Sequence, residues 1–249
     1  MPIYELAQLT WEEVRDLDRA RTIVVLPVGA MEAHGPHLPL ATDVVIAAAM
    51  ARAGARQLAA RHPVLILPGL SYTAAGFAAK FHGTLSVSGI TVTALIVDIA
   101  RSLSDQGFRA LAIANAHLDP DHLTALHEAV KLAQADRLLP VVFPDLTRRP
   151  WGSRLGDEFK SGACHAGEFE SSIMLREHPG GVRDKIRRTL SPNPRSLSEA
   201  IKSGKRNFDE AGGPRAYFGD PAAATPEIGA TLVDALGGIL AEAVREALE

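Results

Sequence analysis

The chain has 249 residues, 47% of them hydrophobic and 22% charged, enough for one large core and too even in composition to divide, so a single domain spanning residues 1–249 is expected. Lys and Arg number 26 against 29 Asp and Glu, a formal charge of −3, which excludes the broad positive field that nucleic acid or an anionic membrane attracts. Cys164 is the single cysteine, so there is no internal disulfide or CxxC knuckle, and a metal site must be built from His, Asp and Glu.

Thr10-Trp11-Glu12-Glu13 has capping-box spacing and predicts a short helix. Thr22 to Val28 (TIVVLPV) reads as a strand buried on both faces. An Ala-rich helix follows from about Val44 to Arg61, then a buried strand from Val64 to Leu67 stopped by Pro68 and Gly69. The alternation continues with a helix at about 90–106, a strand at 110–114, a helix at about 121–135, a strand at 140–143, and helices at about 167–177 and 227–248. This order predicts a mostly parallel sheet between two helical layers. Residues 178 to 226, rich in Arg, Ser, Gly and Pro, have no clear period and are expected as long excursions near a site or an interface. The apolar run from Val44 ends at Arg52, short of the roughly 20 residues that cross a bilayer, and MPIYELAQLT lacks a basic region followed by an apolar one. A soluble, cytoplasmic protein is expected.

GxGxxG after a strand, Walker A, GxSxG and HExxH are all missing. Instead, carboxylates and imidazoles gather at strand ends, where open α/β sheets place their ligand crevice. The loop after Val28 carries Glu32, His34, His37 and Asp43. Glu32 and His34 share a face of an extended segment, and Asp43 at a helix start can turn back over the loop. Read blandly, Asp43 is an N-cap, His37 a satisfied loop histidine and Glu32 a solvated charge. A second cluster, Asn115 to Pro120, presents His117 and Asp119 two apart. A third, Cys164 to Ser172, places His165 before a helix start and Glu168 and Glu170 in its first turn, where a carboxylate stabilised by the helix dipole is the simpler explanation of Glu168 alone. Three clusters with the same N/O ligand set together favour a two-metal hydrolytic site.

PVGAMEAHGPHLPLATD at 27–43, HGTLSVS at 82–88, NAH at 115–117, HAGEFESS at 165–172 and FGDPAAATPEIG at 218–229 resemble, in order, the motifs of the creatininase (creatinine amidohydrolase) family. The resemblance implies a three-layer α/β/α domain with a largely parallel sheet, a homohexamer, and two divalent cations such as Zn, Mn or Fe. It implies that Glu32 and His117 hold one metal, His34 the other, and that Asp43 bridges them. For the remaining ligand, Glu168 is favoured over Asp119, because its side chain is longer and its motif intact. NAHLDP departs from the family's Asn-Gly-His-Gly-Gly-Asn, which leaves the substrate open.

The expected reaction is attack of a metal-bridged hydroxide on the carbonyl carbon of a non-peptide C–N bond in a small cyclic or linear amide. His165 is expected to shuttle the proton to the leaving nitrogen, with Glu170 holding or tuning its imidazole. His82 supports the site from behind, lines its mouth, or only packs. Family relatives also act as deformylases or trim a peptide during cofactor biosynthesis, and a metal-free assembly subunit is the reading from outside enzymology. The filled ligand positions argue against that last one.

Overall fold

The computed structural model describes residues 1–249. Five parallel strands, β1 (Ile3–Glu5), β2 (Ile23–Val28), β3 (Val64–Ile66), β4 (Ala110–Asn115) and β5 (Val141–Val142), form one sheet in the order β1-β3-β2-β4-β5. The helices between and after them are α1 (Trp11–Arg15), α2 (Thr42–Leu58), α3 (Gly89–Asp105), α4 (Pro120–Ala135), α5 (Gly156–Ser161), α6 (Glu168–Glu177), α7 (Asp184–Arg187), α8 (Leu197–Lys202), α9 (Phe208–Ala211) and α10 (Pro226–Leu248).

Every residue of β2 is buried, and its alternation builds two cores. Ile23 and Val25 point to a core shared with residues of α2, α6 and α10, while Val24, Leu26 and Val28 point to one shared with α3 and α4. The expected α/β/α layering is therefore present, and the sheet is parallel throughout. Helices α2 and α10 meet through small residues: a Cβ on Gly237 would lie 2.6 Å from Ala53 Cβ, and one on Gly54 2.7 Å from Leu240 Cδ2. Close approach to the α2 backbone requires glycine at Gly237, where a Cβ would also lie 2.7 Å from the Ala53 carbonyl carbon, while at Gly54 the obstacle is the Leu240 side chain.

Strand order reverses between β2 and β4, which are neighbours in register from Ile23↔Ala110 to Val28↔Asn115. Chain leaving β2 turns toward one side of the sheet and chain leaving β4 toward the other. The crevice between their carboxyl ends is the site that this topology supplies.

Several features differ from the sequence reading. β1 is an edge strand of three residues with an exposed, half-buried, exposed pattern, too short and too polar to register as an apolar run. α2 begins at Thr42, so Asp43 lies inside its first turn. Residues 178 to 226 hold α7, α8 and α9, none longer than six residues, and two of these pack over the crevice. No helix is long and apolar enough to cross a membrane.

Gly237→Val is expected to destabilise the protein by about 1–3 kcal/mol through overpacking. A lower urea midpoint at unchanged slope is the expected readout, and an unchanged midpoint would refute tight α2/α10 contact.

Candidate metal centre

Three loops at the carboxyl end of the sheet converge. The first leaves β2 at Gly29, where a Cβ would sit 2.5 Å from the backbone nitrogen of Val44, so glycine lets this loop run against the start of α2. Donation from Glu32 N to Leu40 O (3.1 Å) closes it. Thr84 Oγ1 accepts from Ala33 N (3.1 Å) and Leu85 N donates to Met31 O (2.9 Å), so the 82–88 motif braces this loop from outside while His82 itself is exposed. The second loop follows β4, where Asn115 Nδ2 donates to the carbonyl of His117 (2.6 Å) and its Oδ1 accepts from His122 Nε2 (2.9 Å). The third precedes α6. Ala166, at φ 53°, adopts the left-handed region, which costs a non-glycine residue on the order of 1 kcal/mol; Glu170 Oε2 accepts from its N–H (2.6 Å) and holds the turn.

These loops bring Glu32, His34, Asp43, His117, His165 and Glu170 together, all buried. Each imidazole has one nitrogen on a backbone carbonyl: His34 Nδ1–H donates to Glu32 O (3.1 Å), His117 Nε2–H to Ala74 O (2.8 Å), and His165 Nε2–H to Ala33 O (2.9 Å). A neutral ring then directs the lone pair of its other nitrogen into the cluster. His34 Nε2 lies 3.1 Å from Asp43 Oδ1 and 3.4 Å from Glu170 Oε2. His117 Nδ1 lies 3.0 Å from Asp43 Oδ2 and 3.3 Å from Glu32 Oε1, and His165 Nδ1 3.9 Å from Glu32 Oε1.

Lone pairs that face carboxylate oxygens repel unless positive charge lies between them. Without a cation, protons must supply it: burial disfavours charge on His34, yet Asp43, Glu170 and Glu32 raise its pKa to about 10, and Glu32 and Asp43 likewise raise His117 well above the usual range. Burial raises Glu170 to about 8, helped by Asp43 and Glu32 against His34, while His34 and His117 overcome burial to hold Asp43 below the usual range. His165 goes the other way, pushed well below by burial and by His34. It is a neutral ring, stacked between His34 (centroids 4.4 Å) and Phe208 (4.3 Å).

The donor set fits divalent cations. Its ligand atoms form groups, each within 4.8 Å, of Glu32, Asp43 and His117, of His34, Asp43 and Glu170, and of Glu32, His34 and His165. Asp43 belongs to two of them with a different oxygen turned to each, and its Oδ2 is buried without a hydrogen-bond partner. Nitrogen and oxygen donors of this kind suit Zn, Mn or Fe.

Glu32, His34, Asp43, His117 and His165 thus come together, while three other expectations need correction. Glu168 is not in the cluster; Glu170 stands in its place. Residues two apart on a helix point about 200° away from each other, and the start of α6 is turned so that Glu170 faces inward. Glu158 dictates that turn by accepting from the N–H groups of Glu168 and Phe169 (both 2.9 Å) and of Asp220 (2.7 Å). No periodic or motif signal marks Glu158 as this cap. Second, Glu170 does not hold His165, whose partner is the Ala33 carbonyl. Third, Asp119 is committed to backbone: Oδ1 accepts from Asp121 N and Oδ2 from Phe77 N, both 2.9 Å, so it caps α4 and ties down the 73–78 segment. His37 lies outside the cluster, bonded to Ser171 Oγ (2.9 Å).

Above the cluster is a chamber of about 50 Å³ walled by Phe77, Leu118, Leu197, Ile201 and Phe208. Cys164 also lines it, but burial, Glu170 and Glu158 raise its thiol pKa, so it is no nucleophile.

Comparison with known proteins agrees with this geometry. The creatininase family model, described as creatinine amidohydrolase, matches residues 7–244. A mycofactocin precursor peptide peptidase of Mycobacterium tuberculosis is 33% identical over 221 residues, covering 86% of this chain and 80% of that protein. The creatinine amidohydrolase of Pseudomonas putida is 29% identical over 194 residues, covering 70% and 72%. A solved creatininase variant complexed with creatine matches with a TM-score of 0.77 at 26% identity, covering 99% and 98% of the two chains. A creatininase variant of Zn-Zn type matches with a TM-score of 0.72 at 25% identity, covering 97% of each.

Glu170→Ala is expected to lower the bound divalent cation content, measured by elemental analysis after reconstitution, and Glu168→Ala to leave it at the unmutated level. The opposite result would restore Glu168 as the ligand.

Proposed function

The chain belongs to the creatininase family of hydrolases, and from that premise we propose that it hydrolyses a C–N amide bond of a small molecule at a centre of two divalent cations. Glu32 and His117 would hold one cation, His34 and Glu170 the other, and Asp43 would serve both. The observation that carries this reading is the division of Asp43 between two ligand groups, Oδ1 toward His34 and Oδ2 toward His117. Divalent cations bound there supply a Lewis acid for the scissile carbonyl and make water nucleophilic near neutral pH.

The protein's own groups do the rest. His165 is neutral, anchored through Nε2–H on Ala33 O, and lines the chamber. It takes a proton at Nδ1 and returns it to the leaving nitrogen. The apolar walls exclude bulk water, which strengthens the electrostatics within. A chamber of about 50 Å³ suits a carbonyl with small substituents. Leu118 presents an aliphatic wall and Asp119 is consumed by backbone donors, so the segment after His117 offers neither an aromatic face nor a free carboxylate to creatinine.

A second reading is trimming of a short peptide, favoured by the 33% identity to a peptide peptidase; the chemistry at the bond is the same. The homohexamer and the cytoplasmic location implied at the outset remain proposals. Exposed Ile90, Leu85 and Tyr72 are apolar surface that an assembly would cover.

Reconstituted protein and its His165→Ala variant are both expected to hold about two cations per chain, while the variant loses roughly 10²–10⁴-fold in kcat with little change in KM. Loss of a cation on that substitution would make His165 a ligand instead of a shuttle. On a panel of small amides, creatinine is expected to be turned over weakly, with kcat/KM below about 10⁴ M⁻¹s⁻¹. A higher value would overturn the substrate assignment, and inactivity of the metal-loaded protein on every amide and short peptide would overturn the hydrolytic one.

A further inference from the structure

A second cavity, of about 520 Å³, opens beside the chamber. Leu118, Cys164, Leu197 and Ile201 line both, so the two adjoin across a shared apolar boundary. The outer walls come from the segment after β5, from α5 and from α8. Their charge is one-sided: Arg148, Arg149, Lys160 and Lys202 line the groove, and none of its 15 lining residues is acidic. In a chain of net charge −3 that segregation is local. Arg148 pairs with Asp145 and Lys160 with Asp157, whereas Arg149 and Lys202 carry no ion pair. Thr147, Ser153 and Ser198 add hydroxyls to the same walls. None of the four cations belongs to the motifs that mark the metal centre.

We propose that this basic groove binds a carboxylate on the amine side of the scissile bond, so that the preferred substrates are amides of amino acids. This rests on the hydrolase reading above and deepens it. The carboxylate sits against Arg149 and Lys202, the guanidinium offering a planar fork of donors. The remainder of the amine half passes between the apolar side chains that the two cavities share, and the carbonyl reaches the chamber. Hydrolysis adds water across the C–N bond: the carbonyl carbon gains the oxygen and the nitrogen gains the proton, releasing a carboxylic acid and the amino acid. A carboxylate docked outside leaves the carboxylate-lined chamber to the neutral amide. The same requirement covers an N-acyl amino acid and the last bond of a short peptide.

The test uses N-acetylglycine, N-acetyl-β-alanine and N-acetyl-4-aminobutyrate, which vary the distance from amide to carboxylate, together with their uncharged carboxamides. Calorimetric titration of Mn²⁺-reconstituted protein is expected to show at least one acid bound about tenfold or more tightly than its carboxamide, with the difference shrinking as salt rises. The double variant R149A/K202A is expected to erase that preference while keeping its cation content. Equal binding of acids and carboxamides, no binding of either at millimolar concentration, or a preference that survives in the double variant would overturn the proposal. Tight binding of an acid that the enzyme does not cleave would leave the groove standing and count against the hydrolytic reading. Rapid cleavage of the carboxamides, unchanged in the double variant, would do the reverse.

Discussion

Three carboxylates, Glu32, Asp43 and Glu170, are buried within a few ångströms of one another at the end of the sheet. Bringing such charges out of water and together is unfavourable unless positive charge joins them. Each of the three imidazoles around them turns a lone pair inward, because its other nitrogen is engaged by a fixed carbonyl. Protons on His34 and His117 relieve the strain in one way, and divalent cations relieve it for carboxylates and imidazoles at once. The rest of the active end is arranged to maintain this condition.

The sheet topology does most of that arranging. Adjacent parallel strands β2 and β4 deliver two loops to a common crevice, and α6 closes it from the third side. Fixed backbone carbonyls orient all three imidazoles, so ligand geometry is coupled to loop conformation and not to rotamer choice alone. The groups that hold these loops are not themselves in the ligand cluster: the Thr84 hydroxyl, the Asp119 carboxylate and the Glu158 carboxylate each accept from loop or helix-end N–H groups. The carboxylates at the starts of α4 and α6 also satisfy donors that these helices cannot.

Charge is sorted by depth. Acidic groups and imidazoles line the floor, hydrophobic side chains from α8 and α9 form the walls, and basic groups surround the outer groove. An amide carbonyl and an anionic tail would find complementary surroundings in the chamber and in the adjoining groove. The irregular region between α6 and α10 supplies Leu197, Ile201 and Phe208 to these walls, so the part of the chain with least periodicity shapes the entrance.

The alternation of apolar strands with helices was legible in the sequence because burial on two faces demands unbroken apolar runs such as Ile23 to Val28, and this sufficed for the layers and for the parallel sheet. The strand-end positions of Glu32, His34, His117 and His165 were legible for the same reason, as polar residues directly after or between buried elements. β1 was not, since an edge strand of three residues leaves no apolar run. The choice between Glu168 and Glu170 was not legible either: both lie in one helical turn, and only the rotation imposed by Glu158 decides which faces inward. Nor were the roles of Asp119, which the neighbouring N–H of Asp121 and the distant N–H of Phe77 divert from the centre, or the basic groove, whose members come from segments far apart in sequence. Residue type and local period determine which groups exist and on which element they lie; the direction in which each points is set by partners brought near only when the chain folds.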